Sequence, residues 1–268
     1  MTNQAGLYLF VLIASVVAGS SCVNGQSWYA DRDLANDLTK NGTCVQQDRA
    51  TLCFESGILQ PEEIATFSEL VNRGIVDIEA YLGASRLAGR KIRYFISSKI
   101  DISHSTYRSI YLPMTRVQKR IAPYLHETTH LVAPCDACPM WFSEGLASYV
   151  QSYVSEHTGG YDGGIFSRRG NRGIDQDARR WVASERGQAV IPFIGMPGEP
   201  PSISYDRSNV AAPFYVMAQS FVQFLLERNT PEQARAVIAA KNFDADLQTI
   251  TGKSAAEWKD LWLAELRK

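Results

Sequence analysis

The stretch HETTHLVAPCDACPMWFSEG, residues 126–145, predicts two helices joined by a tight loop. Pro123 is acceptable in the first turn of a helix, and Pro134 marks the end of the first helix. Residues 141–157, WFSEGLASYVQSYVSEH, predict the second helix. The loop at 134–139 is short enough to fold the second helix back antiparallel to the first.

Two of the four histidines, His126 and His130, are four positions apart in the first helix. This spacing places both imidazoles on one face, where they can share one metal ion. Zinc is the ion that nitrogen ligands most often bind in tetrahedral geometry. Glu127 projects about 100° further around the helix and can reach a water beside the metal. The pattern predicts an H-E-x-x-H zinc site; the alternatives are hydrogen-bonded core histidines or a metal site without activity.

A third metal ligand is expected from the second helix, because a catalytic zinc needs three protein ligands and one open position. Glu144 lies in the opening turn of that helix and faces back toward the histidines. Gly145 leaves room for close packing of the two helices. The alternative is that Glu144 only interacts with the positive N-terminal end of its helix.

These motifs resemble those of a known class of enzymes. HETTH followed by WFSEGLASYV is similar to the gluzincin zinc peptidases, and most of all to the bacterial peptidase-MA-like families. The likeness covers roughly residues 60–268 and is sharpest at 126–150. It implies a thermolysin-like zincin catalytic fold, one zinc ion per chain and hydrolysis of peptide bonds. The histidine-to-glutamate gap is shorter than in thermolysin, so details of substrate binding do not transfer.

The resemblance also implies roles for individual residues. Glu127 would be the general base, and a tyrosine in the later helical region would stabilise the oxyanion. Tyr215 is the candidate and Tyr205 the second choice, although each could simply be a packed or surface tyrosine. The strand SIYLP, 109–113, could form a cleft wall that pairs with an extended peptide, or a plain strand of the sheet.

The first 25 residues predict export. Leu7–Gly19 is an uncharged apolar run, too short to span a bilayer comfortably, and small residues follow it. Cleavage could fall after Ser20, or Cys22 could become a lipid-modified N-terminus that anchors the protein to a membrane. No Lys or Arg precedes the run, which leaves a buried N-terminal helix as the alternative. We expect a periplasmic, cell-envelope or secreted protein.

Export would also explain the cysteines, because four remain after residue 25. Their closeness in sequence favours the disulfides Cys44–Cys53 and Cys135–Cys138 among the three pairings. The alternatives are four free thiols, or a four-cysteine zinc site in which Cys44 and Cys53 complete the C-x-x-C pair. A disulfide at 135–138 would rigidify the loop that sets where Glu144 meets the metal.

The rest of the chain predicts one α+β domain over residues 26–268. Its 268 residues carry a formal net charge of −1, without the basic stripe of a nucleic-acid binder. Strands come early and helices late, so we expect a small N-terminal sheet and a mostly helical C-terminal half. The individual segments that we expect are an irregular region at 26–59, a helix at 61–83, a strand at 92–97, a loop at 158–175, a short helix at 176–186, an extended stretch at 191–206 and three final helices at 211–228, 231–241 and 254–268.

The sequence supports three functional hypotheses. The first is a zinc peptidase that acts on a peptide or protein substrate. The second is a catalytically inactive, zinc-stabilised exported binding or assembly module. The third is an exported α+β protein without metal, held together by disulfides. His104 and His157 lie far from the motif in sequence, and we expect both at the surface.

Overall fold

A computed structural model describes residues 28–135, 137–160, 170–197 and 210–268, with side chains from residue 30 onward. The predicted signal segment, including Cys22, lies outside these residues. Among the described helices, none combines the length and the apolar character that crossing a membrane requires.

The sheet has five strands and a mixed topology. The strands are β1 (Thr43–Gln46), β2 (Ala50–Phe54), β3 (Ile92–Ser97), β4 (His104–Thr106) and β5 (Ser109–Pro113). Their order is β1-β2-β3-β5-β4. The three central strands β2, β3 and β5 run parallel, and β1 and β4 are antiparallel edges. The strands predicted at 92–97 and 109–113 are confirmed.

Helices make up most of the described chain, and the α+β prediction is confirmed at this level. The helices are α1 (Trp28–Asn41), α2 (Pro61–Leu82), α3 (Met114–Gln118), α4 (Tyr124–Val132), α5 (Met140–Thr158), α6 (Gly170–Val182), α7 (Glu185–Val190), α8 (Ala212–Glu227), α9 (Pro231–Ile238), α10 (Phe243–Thr251) and α11 (Ala255–Leu266), with a 3-10 turn at Ile191–Phe193. The prediction for α2 is confirmed with its end at Gly83, which has a φ of 70°.

The central strands are buried on both faces, and side chains alternate between two apolar clusters as the strand period requires. Tyr94 and Ile96 of β3 belong to the main core, which α2, α4 and the C-terminal helices cover. Phe95, between them, belongs to a smaller cluster that α1 covers on the opposite face. The sheet therefore separates α1 from α4, the helix that carries the HETTH motif.

The expectation of an irregular region at 26–59 is wrong, because α1, β1 and β2 occupy most of it. Helix α1 buries Ala35 and Leu38 on the sheet, so its apolar stripe is narrow. Strand β1 lies at an edge and is largely exposed, which removes the alternation that would mark it. The formation of α1 and β1 therefore depends on contacts with the rest of the fold more than on the hydrophobic patterns of their own sequences.

The helical half is only partly as predicted. The prediction of a short helix at 176–186 is wrong in its bounds, because α6 begins at Gly170 and α7 follows it. Ser184 separates them, and its side chain accepts a hydrogen bond from the backbone N–H of Gly187. The three final helices are confirmed, and Ser254 caps α11 as expected. Helix α10, between the last two, was not predicted.

Two further expectations concern strand β5 and His104, and the one about His104 is wrong. Strand β5 pairs with β3 along its whole length and with β4 at Ser109–Tyr111, so it is internal to the sheet over those three residues, and its pairing with a peptide stays a prediction. His104 is not at the surface but is 7% exposed, with Nε2 3.1 Å from Oδ2 of Asp31 in α1. Its ring stacks on that of Tyr111 at 4.8 Å. The His104–Asp31 pair fastens α1 to the edge of the sheet. His157 is exposed, as predicted.

Candidate metal centre

Helix α4 carries the HETTH motif and lies directly beneath the sheet. It begins after Pro123 and ends at Val132, two residues before Pro134, as the prolines predict. The hydroxyls of Thr128 and of Tyr94 in β3 are hydrogen-bonded at 2.6 Å. This buried contact fixes the rotation of α4 and turns the opposite face, with the histidines, toward α5.

Helix α5 brings Glu144 to that face. It begins after Pro139 and packs closely on α8, because Gly145 presents no side chain there. A Cβ at Gly145 would overlap the carbonyl oxygen of Ala218. Trp141, fully buried, anchors the first turn of the helix. The prediction that Gly145 permits close packing of α4 and α5 is wrong in the partner helix, because the atoms nearest to this glycine belong to Ala218 and Val222 of α8.

The three expected ligands converge. Nε2 of His126 lies 3.1 Å from Nε2 of His130 and 3.1 Å from Oε2 of Glu144. Nε2 of His130 is 3.5 Å from the same carboxylate oxygen. The two imidazole rings meet edge to face at 83°. In the described part of the chain this is the one group of three or more potential ligands close enough to hold a metal ion.

The charges of these groups are coupled. Burial raises the pKa of Glu144, but the charges and hydrogen bonds of the two imidazoles outweigh burial and leave the pKa well below its ordinary value. Burial lowers the pKa of His130, whereas the charge and hydrogen bond of Glu144 raise it above its ordinary value. Glu144 is therefore held as a carboxylate, which is the form of this side chain that binds a metal ion.

The donor set fits zinc. Bonds of about 2.0–2.1 Å around a tetrahedral ion place neighbouring ligand atoms about 3.4 Å apart. The three separations in this site, 3.1, 3.1 and 3.5 Å, are close to that value. Two nitrogens and one carboxylate oxygen also leave a fourth position open, which is the ligand set of a catalytic zinc site.

Two serines that the sequence did not single out complete the surroundings of the histidines. Oγ of Ser143 is 3.2 Å from Nδ1 of His130, and Oγ of Ser148 is 3.4 Å from Nδ1 of His126. Both belong to α5, one residue before Glu144 and four after it. The i,i+4 spacing of Glu144 and Ser148 was the signal available in the sequence, since it puts them on one face.

The expected catalytic residues lie in the same region. Glu127 is 7% exposed, and its charge acts on the pKa of His130. Tyr215, near the start of α8, has its ring centroid 6.1 Å from that of His126. Tyr205 lies outside the described residues. The structure thus brings Tyr215 to the histidines, but its role and that of Glu127 remain predictions.

The cysteines lie in disulfide-bonding pairs that match the favoured pairing. Cys44 and Cys53 face each other across β1 and β2, with Cα atoms 4.1 Å apart. Cys135 and Cys138 bridge the loop between α4 and α5, with Cα atoms 5.7 Å apart. A four-cysteine zinc site is excluded, because Cys53 belongs to the cluster on the α1 side of the sheet. The disulfides are compatible with export.

The Cys135–Cys138 bridge lies next to the candidate metal ligands. Both cysteines line a small pocket that also includes His130 and Ser143. The guanidinium of Arg86 donates a hydrogen bond to the carbonyl oxygen of Cys135 from the other side. The loop that connects the ligand-bearing helices is therefore held both by a covalent bridge and by the segment after α2.

Comparisons with known proteins identify no family. No family model and no curated protein matches the chain. Among solved structures, the chain is similar to an M1 zinc metallopeptidase from Deinococcus radiodurans, with 16% identity and a TM-score of 0.49 over 82% of this chain and 50% of that one. A mutant of that peptidase bound to a Tyr-Ser-Ala substrate has 14% identity and a TM-score of 0.48, with the same coverage.

A functionally unknown conserved protein from Bacillus anthracis is also similar, with 12% identity and a TM-score of 0.43 over 89% of this chain and 54% of that one. The chain spans about half the length of these solved structures. Because the TM-scores lie below 0.5, we infer neither an activity nor a substrate from them. An assignment of function therefore depends on the geometry of the site itself.

Proposed function

We propose that this protein is a zinc-dependent peptidase. The convergence of His126, His130 and Glu144 at separations typical of zinc ligands is the observation that supports it. Glu127, buried one position after the first histidine, supplies the acid–base group that a hydrolase needs. A purely structural zinc site would have four protein ligands, whereas this set leaves a position open.

The residues of the site would divide the chemistry among them. His126, His130 and Glu144 would hold one zinc ion, which polarises a carbonyl group and makes water nucleophilic near neutral pH when bound. The Glu127 carboxylate would accept a proton from the attacking water and deliver it to the nitrogen of the leaving amine. The Tyr215 hydroxyl would donate a hydrogen bond to the carbonyl oxygen as negative charge develops there.

We also propose that the protein works outside the cytoplasm, on peptide or protein substrates. The two disulfides support export, because such bonds persist in oxidising compartments. The apolar run at Leu7–Gly19 would direct it, with signal cleavage or lipid attachment at Cys22 as the two outcomes.

The test combines metal content with proteolysis. Purified protein should contain about one zinc per chain and should degrade unfolded casein in a manner that chelators abolish. Glu127→Gln should keep the zinc and lose the proteolysis, whereas His130→Ala should lose both. Glu69→Gln in α2 and His157→Ala in α5 are matched controls, because both side chains are exposed away from the site.

Each alternative predicts a different result. Full casein cleavage by Glu127→Gln would end the peptidase proposal. Stoichiometric zinc without cleavage of casein or of a peptide library would indicate the inactive zinc-stabilised module. A purified protein with zinc near zero would favour the α+β protein without metal.

A further inference from the structure

Both ligand histidines direct their second ring nitrogen at a serine of α5. Nδ1 of His130 faces Oγ of Ser143 at 3.2 Å, and Nδ1 of His126 faces Oγ of Ser148 at 3.4 Å. The same helix carries Glu144, so one element supplies a ligand to the centre and a hydrogen-bonding group to each of the other two ligands. Both serine side chains are half-buried.

The tautomer of each histidine depends on these contacts. A neutral imidazole has one N–H, and a nitrogen that binds a metal ion must carry a free lone pair. The two Nε2 atoms are the ones that converge, at 3.1 Å. Each Nδ1 must then carry the proton, and an acceptor at Nδ1 stabilises that tautomer and fixes the ring orientation.

We propose that Ser143 and Ser148 are the positioning residues of the metal centre, holding His130 and His126 in the tautomer that presents Nε2 to the ion. The proposal rests on the metal centre of the proposed function. Each hydroxyl oxygen accepts the Nδ1–H of its histidine, and neither contacts the reacting groups directly.

The choice of serine has a further consequence. Metal-ligating histidines commonly donate to a carboxylate, which raises the basicity of the ligand nitrogen. A hydroxyl is uncharged and polarises the imidazole less. The two serines should therefore hold the rings in place while leaving the ion more weakly bound than a carboxylate partner would. This site should accordingly exchange zinc with chelators more readily than one with a carboxylate at position 148.

The experiment measures zinc affinity by competition with a chromogenic chelator. Ser143→Ala and Ser148→Ala should each weaken zinc binding by about tenfold, the lower end of the effect of removing such partners. Ser143→Thr should restore affinity, because it keeps the hydroxyl that faces Nδ1 of His130. Ser148→Asp should bind zinc more tightly than the wild type.

A second readout separates positioning from general destabilisation. Absorption of the cobalt-substituted protein reports ligand geometry, and its bands should shift in both alanine variants and return in Ser143→Thr. Ser155→Ala, on the same helix beyond the site, is the control and should change neither affinity nor spectrum. Circular dichroism should show an unchanged helix content in all variants.

The outcomes distinguish this inference from the proposed function. If the wild type binds zinc stoichiometrically but both alanine variants match it in affinity and spectrum, the positioning role is wrong and the metal centre stands. If Ser148→Asp binds zinc no more tightly than the wild type, the claim about the uncharged partner is overturned. If the wild type itself holds no zinc, the proposed function fails, and this inference fails with it.

Discussion

Nε2 of His126 and Nε2 of His130 point at the same spot from adjacent turns of α4, 3.1 Å apart. Two ring nitrogens at that distance need either a shared proton or a cation between them and Glu144. The Glu144 carboxylate provides the negative charge that balances either the shared proton or the cation. Occupation of the site by a metal ion is therefore expected to stabilise the folded protein, and its removal to destabilise it.

Removal of the metal should lower the melting temperature. A ligand at about a hundred times its Kd stabilises the folded state by about 2.7 kcal/mol, which is several degrees for a domain of this size. Differential scanning calorimetry with zinc, and then with excess chelator, measures the change. His126→Ala should show no response to zinc, whereas His157→Ala should respond as the wild type does. A melting temperature indifferent to both zinc and chelator would contradict the metal centre.

Replacement of Tyr215 by phenylalanine should slow the chemical step. Loss of one donor to a developing oxyanion typically lowers kcat by about 10²–10³-fold, while zinc content and KM should change little. Steady-state kinetics on a fluorogenic peptide, with zinc analysis of the same sample, provides the measurement. Tyr107→Phe, at an exposed hairpin turn, is the matched control. An unchanged kcat would assign Tyr215 to packing against His126 alone.

The sequence predicted the centre of the molecule better than its periphery. Residues 126–145 combine i,i+4 histidines with prolines at both helix boundaries, and these are local signals that tertiary packing does not override. The convergence of His126, His130 and Glu144 could be predicted because a loop of a few residues folds α5 back beside α4. Ser143 carried no such signal, and the i,i+4 spacing of Ser148 from Glu144 is a weak one, since serine is common in helices and surface positions alike.

The features that the sequence did not predict, the burial of His104 and the internal position of β5, depend on residues far away along the chain. His104 is buried because Asp31, 73 positions earlier, pairs with it, and no local pattern indicates that contact. Strand β5 is internal because the short strand β4 adds to its outer side. Three residues, His104–Thr106, are too few to show a strand period, so the edge of the sheet could not be located from sequence.

Replacement of Gly145 by alanine should destabilise the protein, although alanine favours helices. The added Cβ would overlap the Ala218 carbonyl oxygen, and α5 and α8 would have to separate. Overpacking of this kind should lower the free energy of unfolding by about 1–3 kcal/mol, after the gain in helix propensity from glycine to alanine is subtracted. Urea denaturation measures the loss. Because Glu144 is the preceding residue, zinc affinity should fall as well. A Gly145→Ala variant more stable than the wild type would contradict the prediction, since it would show that α5 and α8 tolerate a side chain at this position.

Loss of the Cys135–Cys138 bridge should weaken zinc binding more than it weakens the fold. The bridge closes a short loop, so its removal should cost less than the ~2–4 kcal/mol typical of disulfides. That loop, however, joins His130 to Glu144 and lines the same pocket as His130. Chelator competition on the Cys135→Ser/Cys138→Ser variant should show reduced zinc affinity at a nearly unchanged melting temperature.

The second disulfide is the matched control for this prediction. Cys44 and Cys53 join β1 to β2 at the far edge of the sheet, away from α4 and α5. The Cys44→Ser/Cys53→Ser variant should therefore lose stability without losing zinc affinity. Equal zinc affinities in the two double variants would mean that the loop keeps its shape without a covalent bridge, held by the Arg86 contact to the Cys135 carbonyl oxygen.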